Sequence, residues 1–200
     1  ISASVAIPGS DVKYYKVSIK DRHFFPIAKD LTWKIMASAA YGDGYAGTDG
    51  LPFFENYFGG GVNSVRGFRD NTLGPKDNCN GVGYPGCPGS VDGSTPRPYG
   101  GNIKVLGNTE LLFPIPFMSD VESVRLSVFF DIGTIQGASR DLNGNRVETK
   151  FDISEFKYSA GVAAEWMSPF GALQISYGYP INADEDDETQ EFQFSFGSQF

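Results

Sequence analysis

The sequence predicts an all-β fold, namely an antiparallel transmembrane β-barrel. Its eight or so strands would form the C-terminal half of a larger barrel. Eight stretches alternate apolar and polar residues with a period of two, and their connections alternate between short and long. The 25 glycines and 14% aromatic residues are also typical of membrane-spanning strands. No apolar run reaches the roughly 20 residues that a membrane-spanning helix needs, which excludes a helical membrane protein.

The predicted strands follow the period-two pattern along the whole chain. They are Ile1–Ile7, Lys13–Pro26, Leu31–Gly42, Asn102–Phe113, Val124–Ile135, Phe156–Met167, Ala172–Tyr179 and Glu191–Phe200. In the fifth, one face carries Val124, Leu126, Val128, Phe130 and Ile132, and the other carries Arg125, Ser127, Phe129, Asp131 and Gly133. A soluble β-sandwich shows the same alternation, so the pattern alone does not distinguish lipid from water.

The lengths of the connections favour a barrel. Short connections follow the second, fourth and sixth strands, at 27–30, 114–123 and 168–171. Longer ones follow the third, fifth and seventh strands, at 43–101, 136–155 and 180–190. Short turns on one rim and long loops on the other are typical of outer-membrane barrels. The short turn at 8–11 is an exception on the long-loop rim.

Aromatic residues near the strand ends fit two membrane interfaces. The long-loop rim carries Tyr14, Tyr15, Tyr41, Tyr158 and Tyr179, and the short-turn rim carries Phe24, Phe25, Trp33, Phe113 and Trp166. The eight residues from Trp33 to Tyr41 would cover roughly 20 Å of membrane in a tilted strand.

The long loop at 43–101 contains an unusual segment from Phe53 to Pro75. It combines three consecutive glycines with five aromatic residues, whose rings we expect to be buried. They are Phe53, Phe54, Tyr57, Phe58 and Phe68. Its centre, Val65-Arg66-Gly67-Phe68, places a guanidinium between apolar neighbours, which is costly unless carboxylates meet it. An eight-stranded barrel is filled by its own side chains, so this loop indicates a larger interior.

Composition and motifs argue against several functional classes. The net charge of −8 disfavours nucleic-acid binding. No arrangement of nucleophile and base, phosphate loop or catalytic carboxylate pair stands out, and His23 has no evident partner, so we expect neither an enzyme nor a cofactor. The stretch from Asp184 to Glu188 predicts a solvated acidic loop, with a calcium site as the weaker alternative.

Two cysteines lie close together in a Gly- and Pro-rich part of the long loop. Cys79 and Cys87 predict a short-range disulfide formed outside the cytoplasm. A metal site is the weaker interpretation, because two thiols and a distant histidine do not make a zinc pattern.

Several motifs resemble the C-terminal barrel half of the BamA family of outer-membrane assembly factors. The matching segments are IPGSD-x-x-YYKV at 7–17, PFFENYFGGG at 52–61, VRGF at 65–68, NTLGPK at 71–76, FFDIGT at 129–134, WMSPFG at 166–171 and the terminal FQFSFGSQF. VRGF alone indicates only the wider superfamily. The segment from 77 to 99 departs from the family pattern, being shorter and richer in glycine and proline.

The resemblance implies a 16-stranded barrel whose N-terminal half and periplasmic POTRA repeats are absent from this chain. Ile1 in place of an initiating methionine also indicates a trimmed piece of a longer chain. In such barrels the long loop folds into the interior, where Arg66 meets an acidic pair that corresponds to Glu110 and Asp131.

The resemblance further implies a non-enzymatic insertase in the bacterial outer membrane. Its partners would be outer-membrane lipid, unfolded β-barrel clients and accessory Bam lipoproteins. A weak lateral seam would involve the last strand, with Phe192, Phe194, Phe196, Gly197 and Phe200. A two-partner-type secretion transporter or a passive outer-membrane pore remain alternatives that share the barrel.

Overall fold

The computed structural model describes residues 1–7, 9–76, 98–115, 123–140, 146–148, 150–169 and 171–197. Eight antiparallel strands form one open sheet in which each strand pairs with its neighbours in the chain. They are β1 (Ser2–Val5), β2 (Tyr14–Ala28), β3 (Leu31–Gly44), β4 (Ile103–Pro114), β5 (Val124–Gln136), β6 (Lys157–Ser168), β7 (Gly171–Pro180) and β8 (Phe192–Phe196). The predicted all-β antiparallel fold is confirmed. Among the described residues, no helix is long and apolar enough to span a membrane.

The strands at the two edges of the sheet are shorter than the sequence predicts. β1 covers Ser2–Val5 rather than Ile1–Ile7, and β8 covers Phe192–Phe196 rather than Glu191–Phe200. At Gly197 the backbone φ is +133°, outside the extended region, so the regular ladder ends there.

The β2–β3 hairpin is the longest pairing and ends in a tight turn. Its register runs from Tyr14 opposite Gly44 to Ala28 opposite Leu31, with a shift between Pro26 and Ala28. Proline has no N–H to donate to the ladder, which explains the irregularity. β2 therefore continues two residues beyond its predicted end at Pro26.

The two faces of the sheet differ as the alternation predicts. On β5, Ser127, Phe129 and Asp131 are buried, whereas Val128 and Phe130 between them are exposed. We call the buried side the inner face and the opposite side the outer face. Since the strands pair in continuous register, this division extends from one strand to the next.

The described parts of the long loop, residues 45–76 and 98–102, pack on the inner face. Their core is a cluster of Val65, Phe68 and Leu73 with Leu106 of β4. The inner face makes room for it at Gly133, where an added Cβ would lie 2.7 Å from a methyl group of Val65. The loop is therefore fitted to the wall of the sheet.

The prediction that all five aromatic rings of the loop are buried is wrong. Phe68 has no exposed surface, but Phe53 and Phe54 are 65% and 61% exposed. They form a short 3-10 turn with Glu55, and the Glu55 carboxylate accepts hydrogen bonds from Tyr14 and Lys16 of β2. The turn is anchored through Glu55, so it leaves the two rings uncovered.

One ring assigned to the membrane interface also lies elsewhere. The Tyr14 hydroxyl donates to a carboxylate oxygen of Glu55 at 2.9 Å, which places the side chain on the inner face. By contrast, Trp33, Trp166 and Tyr179 are 42%, 46% and 60% exposed, as expected for interface residues of the outer face.

Candidate functional site: the loop arginine on the sheet wall

The chain at Val65–Phe68 approaches the wall of the sheet very closely. Gly67 has φ +89°, and a Cβ added there would lie 2.8 Å from the carbonyl oxygen of Gly178 on β7. Gly67 and Phe68 also pair as a short strand with Thr189–Gln190, just before β8. Only glycine fits both the left-handed backbone and the close contact, so its position in the motif has a steric reason.

Arg66 makes a paired contact with Asp131 of β5. Its Nε donates to Oδ2 at 2.7 Å and its Nη2 donates to Oδ1 at 2.8 Å, the two-pronged geometry that favours arginine over lysine. The backbone N–H of Arg66 donates to the same carboxylate at 3.1 Å. Asp131 has no exposed surface and the Arg66 side chain is 4% exposed, so this ion pair lies out of water.

Glu110 of β4 completes the acidic pair and links it to a second cation. Arg66 Nη1 donates to Oε1 of Glu110 at 3.2 Å, and Lys34 Nζ of β3 donates to Oε2 at 2.7 Å. The Ser127 hydroxyl donates to Oε1 at 2.7 Å. Glu110 is thus satisfied from three directions, and the network ties the loop to three adjacent strands.

The guanidinium also lies on an aromatic ring. Arg66 Cζ lies 3.4 Å from the centre of the Phe129 ring, within range of a cation–π contact. Burial alone would lower the pKa of Arg66, but the hydrogen bonds and charge of Asp131 and Glu110 outweigh it and raise that pKa. The arginine therefore stays charged although it is buried.

The acidic stretch between β7 and β8 is solvated in part: Asp184, Glu185 and Asp186 are exposed, as the sequence predicts, but the Asp187 side chain is not. The Asp187 side chain is 4% exposed and lies against Lys76 of the long loop and Lys157 of β6. The burial of Asp187 was not predicted because both lysines are distant in sequence. Among the described residues, no group of acidic, histidine or cysteine side chains could hold a metal ion.

The terminal strand carries its phenylalanines on the outer face. Phe192, Phe194 and Phe196 are 61%, 68% and 60% exposed, whereas Gln193 between them is 4% exposed. Gln193 Nε2 donates to the carbonyl oxygen of Phe68, which joins β8 to the long loop. Gly197 lies directly after the strand. Phe200 lies outside the described residues, as do Cys79 and Cys87, whose pairing stays a prediction.

Sequence reasoning found the acidic partners of Arg66 but missed the groups around them. Lys34 lies opposite Glu110 in the strand register, so inner-face alternation on β3 could have found it. Phe129 also lies on the inner face, two residues before Asp131. Its position alone gave no reason to expect a contact between its ring and Arg66. Nothing in the sequence indicated that Lys76 and Lys157 contact Asp187, because Asp187 lies in the irregular connection between β7 and β8.

Comparison with known proteins bears on this arrangement. The model of the Omp85 superfamily domain matches residues 1–200. The outer membrane protein assembly factor BamA of Neisseria meningitidis serogroup B is 37% identical over all of the chain, which covers 26% of that relative. A SAM50-like protein of Schizosaccharomyces pombe is 27% identical over 70% of the chain and 26% of the relative.

A solved structure shares the fold. The crystal structure of BamA from Haemophilus ducreyi lacking POTRA domains 1–3 matches with a TM-score of 0.76 and 31% identity. The match covers 96% of this chain and 36% of that one. The chain thus spans 26% of the Neisseria relative and 36% of the Haemophilus chain.

Proposed function

The chain belongs to the Omp85 superfamily, and on this premise we propose that it is the C-terminal part of an outer-membrane protein assembly factor. Its place is the bacterial outer membrane, and its substrates are unfolded β-barrel proteins that insert there. The 37% identity to a named assembly factor over the full length of the chain supports this assignment.

The observation that carries the proposal is the long loop fixed on the inner face by Arg66. A loop held by a buried ion pair to Asp131 and Glu110 occupies part of the interior. A passive pore needs an open interior, whereas an assembly factor works through its sheet edges and the adjacent bilayer. The packed loop therefore favours assembly over conduction.

The proposal extends to the full barrel, the site at which clients enter, the accessory proteins and the source of the driving force. The eight strands contribute half of a 16-stranded barrel whose other half and POTRA repeats lie elsewhere in the full-length protein. Clients enter at a weak lateral seam beside β8, and accessory Bam lipoproteins bind the intact protein. The work is non-enzymatic, since pairing of strand edges supplies its driving force.

Client folding by the full-length protein tests this function. Liposomes containing it should accelerate folding of an unfolded β-barrel client relative to empty liposomes, and planar bilayers containing it should pass little steady current. Strong conductance without faster client folding would instead identify a passive pore. Export of a soluble partner without client folding would identify a secretion transporter.

A further inference from the structure

The connection between β7 and β8, residues 181–191, holds a buried carboxylate that the arginine network does not use. Asp187 Oδ1 accepts from Lys76 Nζ at 2.7 Å, and Oδ2 lies 2.7 Å from Lys157 Nζ. The backbone N–H of Asp184 donates to Oδ2 at 3.0 Å. The side chains of Lys76 and Lys157 are 8% and 10% exposed, and Asp187 is the buried carboxylate that joins them. The exposed Asp186 and Asp184 each add an outer carboxylate, to Lys76 and Lys157 respectively.

The same connection grips the long loop through its backbone. The N–H of Arg69 donates to the carbonyl of Glu188 at 2.9 Å, and Thr189–Gln190 pairs with Gly67–Phe68. Lys76 Nζ also donates to the carbonyl of Asp186 at 2.6 Å. These contacts follow one another along the connection and lead directly into β8.

β8 itself has few other attachments within the described sheet. It pairs with β7 from Leu173 opposite Phe196 to Tyr177 opposite Phe192, a five-residue ladder. β7, in contrast, pairs with β6 along its whole length from Gly171 to Pro180. The outer side chains of β8 are exposed, so the connection and Gln193 supply much of what holds this strand.

We propose that residues 181–191 are a latch that couples β8 to the long loop, with Asp187 between Lys76 and Lys157 as its fastening. The N-terminal end of β8 then separates from β7 only when these contacts with the long loop break or when the long loop moves with it. A change in the position of the long loop therefore changes how freely the last strand can separate from β7, and the reverse also holds. This concerns motion of the strand and does not depend on whether clients are assembled.

Hydrogen exchange on the full-length protein in lipid tests the latch. Asp187→Asn removes the buried carboxylate that joins the two lysines and leaves them only the exposed Asp184 and Asp186. The amides of Phe192–Phe196 and of Gly67–Phe68 should therefore exchange roughly tenfold faster together. Amides of β3 to β5 should be unchanged. Glu185→Gln is the matched control, because it removes one charge from an exposed position of the same connection.

A milder variant keeps the test decisive if Asp187→Asn does not fold. Lys76→Met leaves Asp187 paired with Lys157 and should accelerate exchange in the same two segments by a smaller factor. Faster exchange confined to 184–187, or an equal effect of Glu185→Gln, would overturn the latch. Failure of the wild-type protein to fold clients would refute the proposed function but leave this result standing.

Discussion

Asp131 receives Arg66 through both of its carboxylate oxygens, with Nε at 2.7 Å and Nη2 at 2.8 Å. The first residue lies in the middle of a strand and the second in a loop 65 positions earlier in the chain. Because Asp131 has no exposed surface, the pair fixes where the loop lies on the wall of the sheet. The following predictions test what depends on that position.

Arg66→Ala should loosen the long loop. Removing one partner of a buried ion pair leaves the other charge stranded, at a typical cost of about 3–5 kcal/mol. Limited proteolysis of the full-length protein in lipid should cut the loop faster in this variant. Arg69→Ala should matter less, because its side chain is 63% exposed and pairs only at the surface with Glu188. Equal protection of the loop in wild type and Arg66→Ala would contradict the prediction.

Gly67→Ala should destabilise the loop more than a matched glycine substitution. Gly67 and Gly47 both have positive φ, +89° and +94°, so alanine at either position costs about 1–2 kcal/mol of backbone strain. At Gly67 the new Cβ would also collide with the backbone of β7, whereas at Gly47 it meets no described atom within 4 Å. Thermal unfolding should show a clearly larger loss for Gly67→Ala. Equal losses would mean that the close contact with β7 is unimportant.

Acid should loosen the connection between β7 and β8 only below about pH 4. Burial opposes ionisation of Asp187, but hydrogen bonds from Lys157 and Lys76 outweigh it and lower the pKa below its ordinary value of 3.8. A lowered pKa in the folded state means that stability is present above the ordinary value and is lost as pH falls through the folded value. Asp184 and Asp186 face the same two lysines from the exposed side of the connection.

Pepsin digestion at a series of pH values would follow this loosening. The wild-type connection should become cleavable below pH 4, whereas Asp187→Asn should be cleavable at every pH at which pepsin works. A wild-type connection that pepsin already cleaves at pH 5 would point to a different group.

Much of the sheet was predictable, because period-two alternation predicts strands in a sheet with one apolar and one more polar face. The same alternation placed Glu110 and Asp131 on the inner face, where a buried arginine needs them. The exposure of Phe53 and Phe54 and the burial of Asp187 were not predictable. Both depend on how irregular segments lie across the wall, and such contacts leave no periodic signal in the sequence.

Gly197→Val should stiffen the end of the last strand. Gly197 has φ +133°, and a Cβ built there meets no described atom within 4 Å, so the substitution acts through backbone conformation rather than a clash. We expect slower client folding by the full-length protein and altered hydrogen exchange at Phe196. Gly9→Val is the matched control, since Gly9 has φ +115° and equally open surroundings far from this edge. Undiminished client folding, with equal exchange in β8 and β5, would rule out a weak lateral seam at this strand.

The most direct test of the account is a double-mutant cycle on Arg66 and Asp131, read out as the rate of client folding in liposomes that contain the full-length protein. If the ion pair fixes the loop as one unit, Arg66→Met and Asp131→Asn should each slow folding, and the double variant should be no slower than the worse single variant. Slowing effects that simply add in the double variant, or wild-type rates in all three, would contradict the claim that this contact holds the loop in its working position.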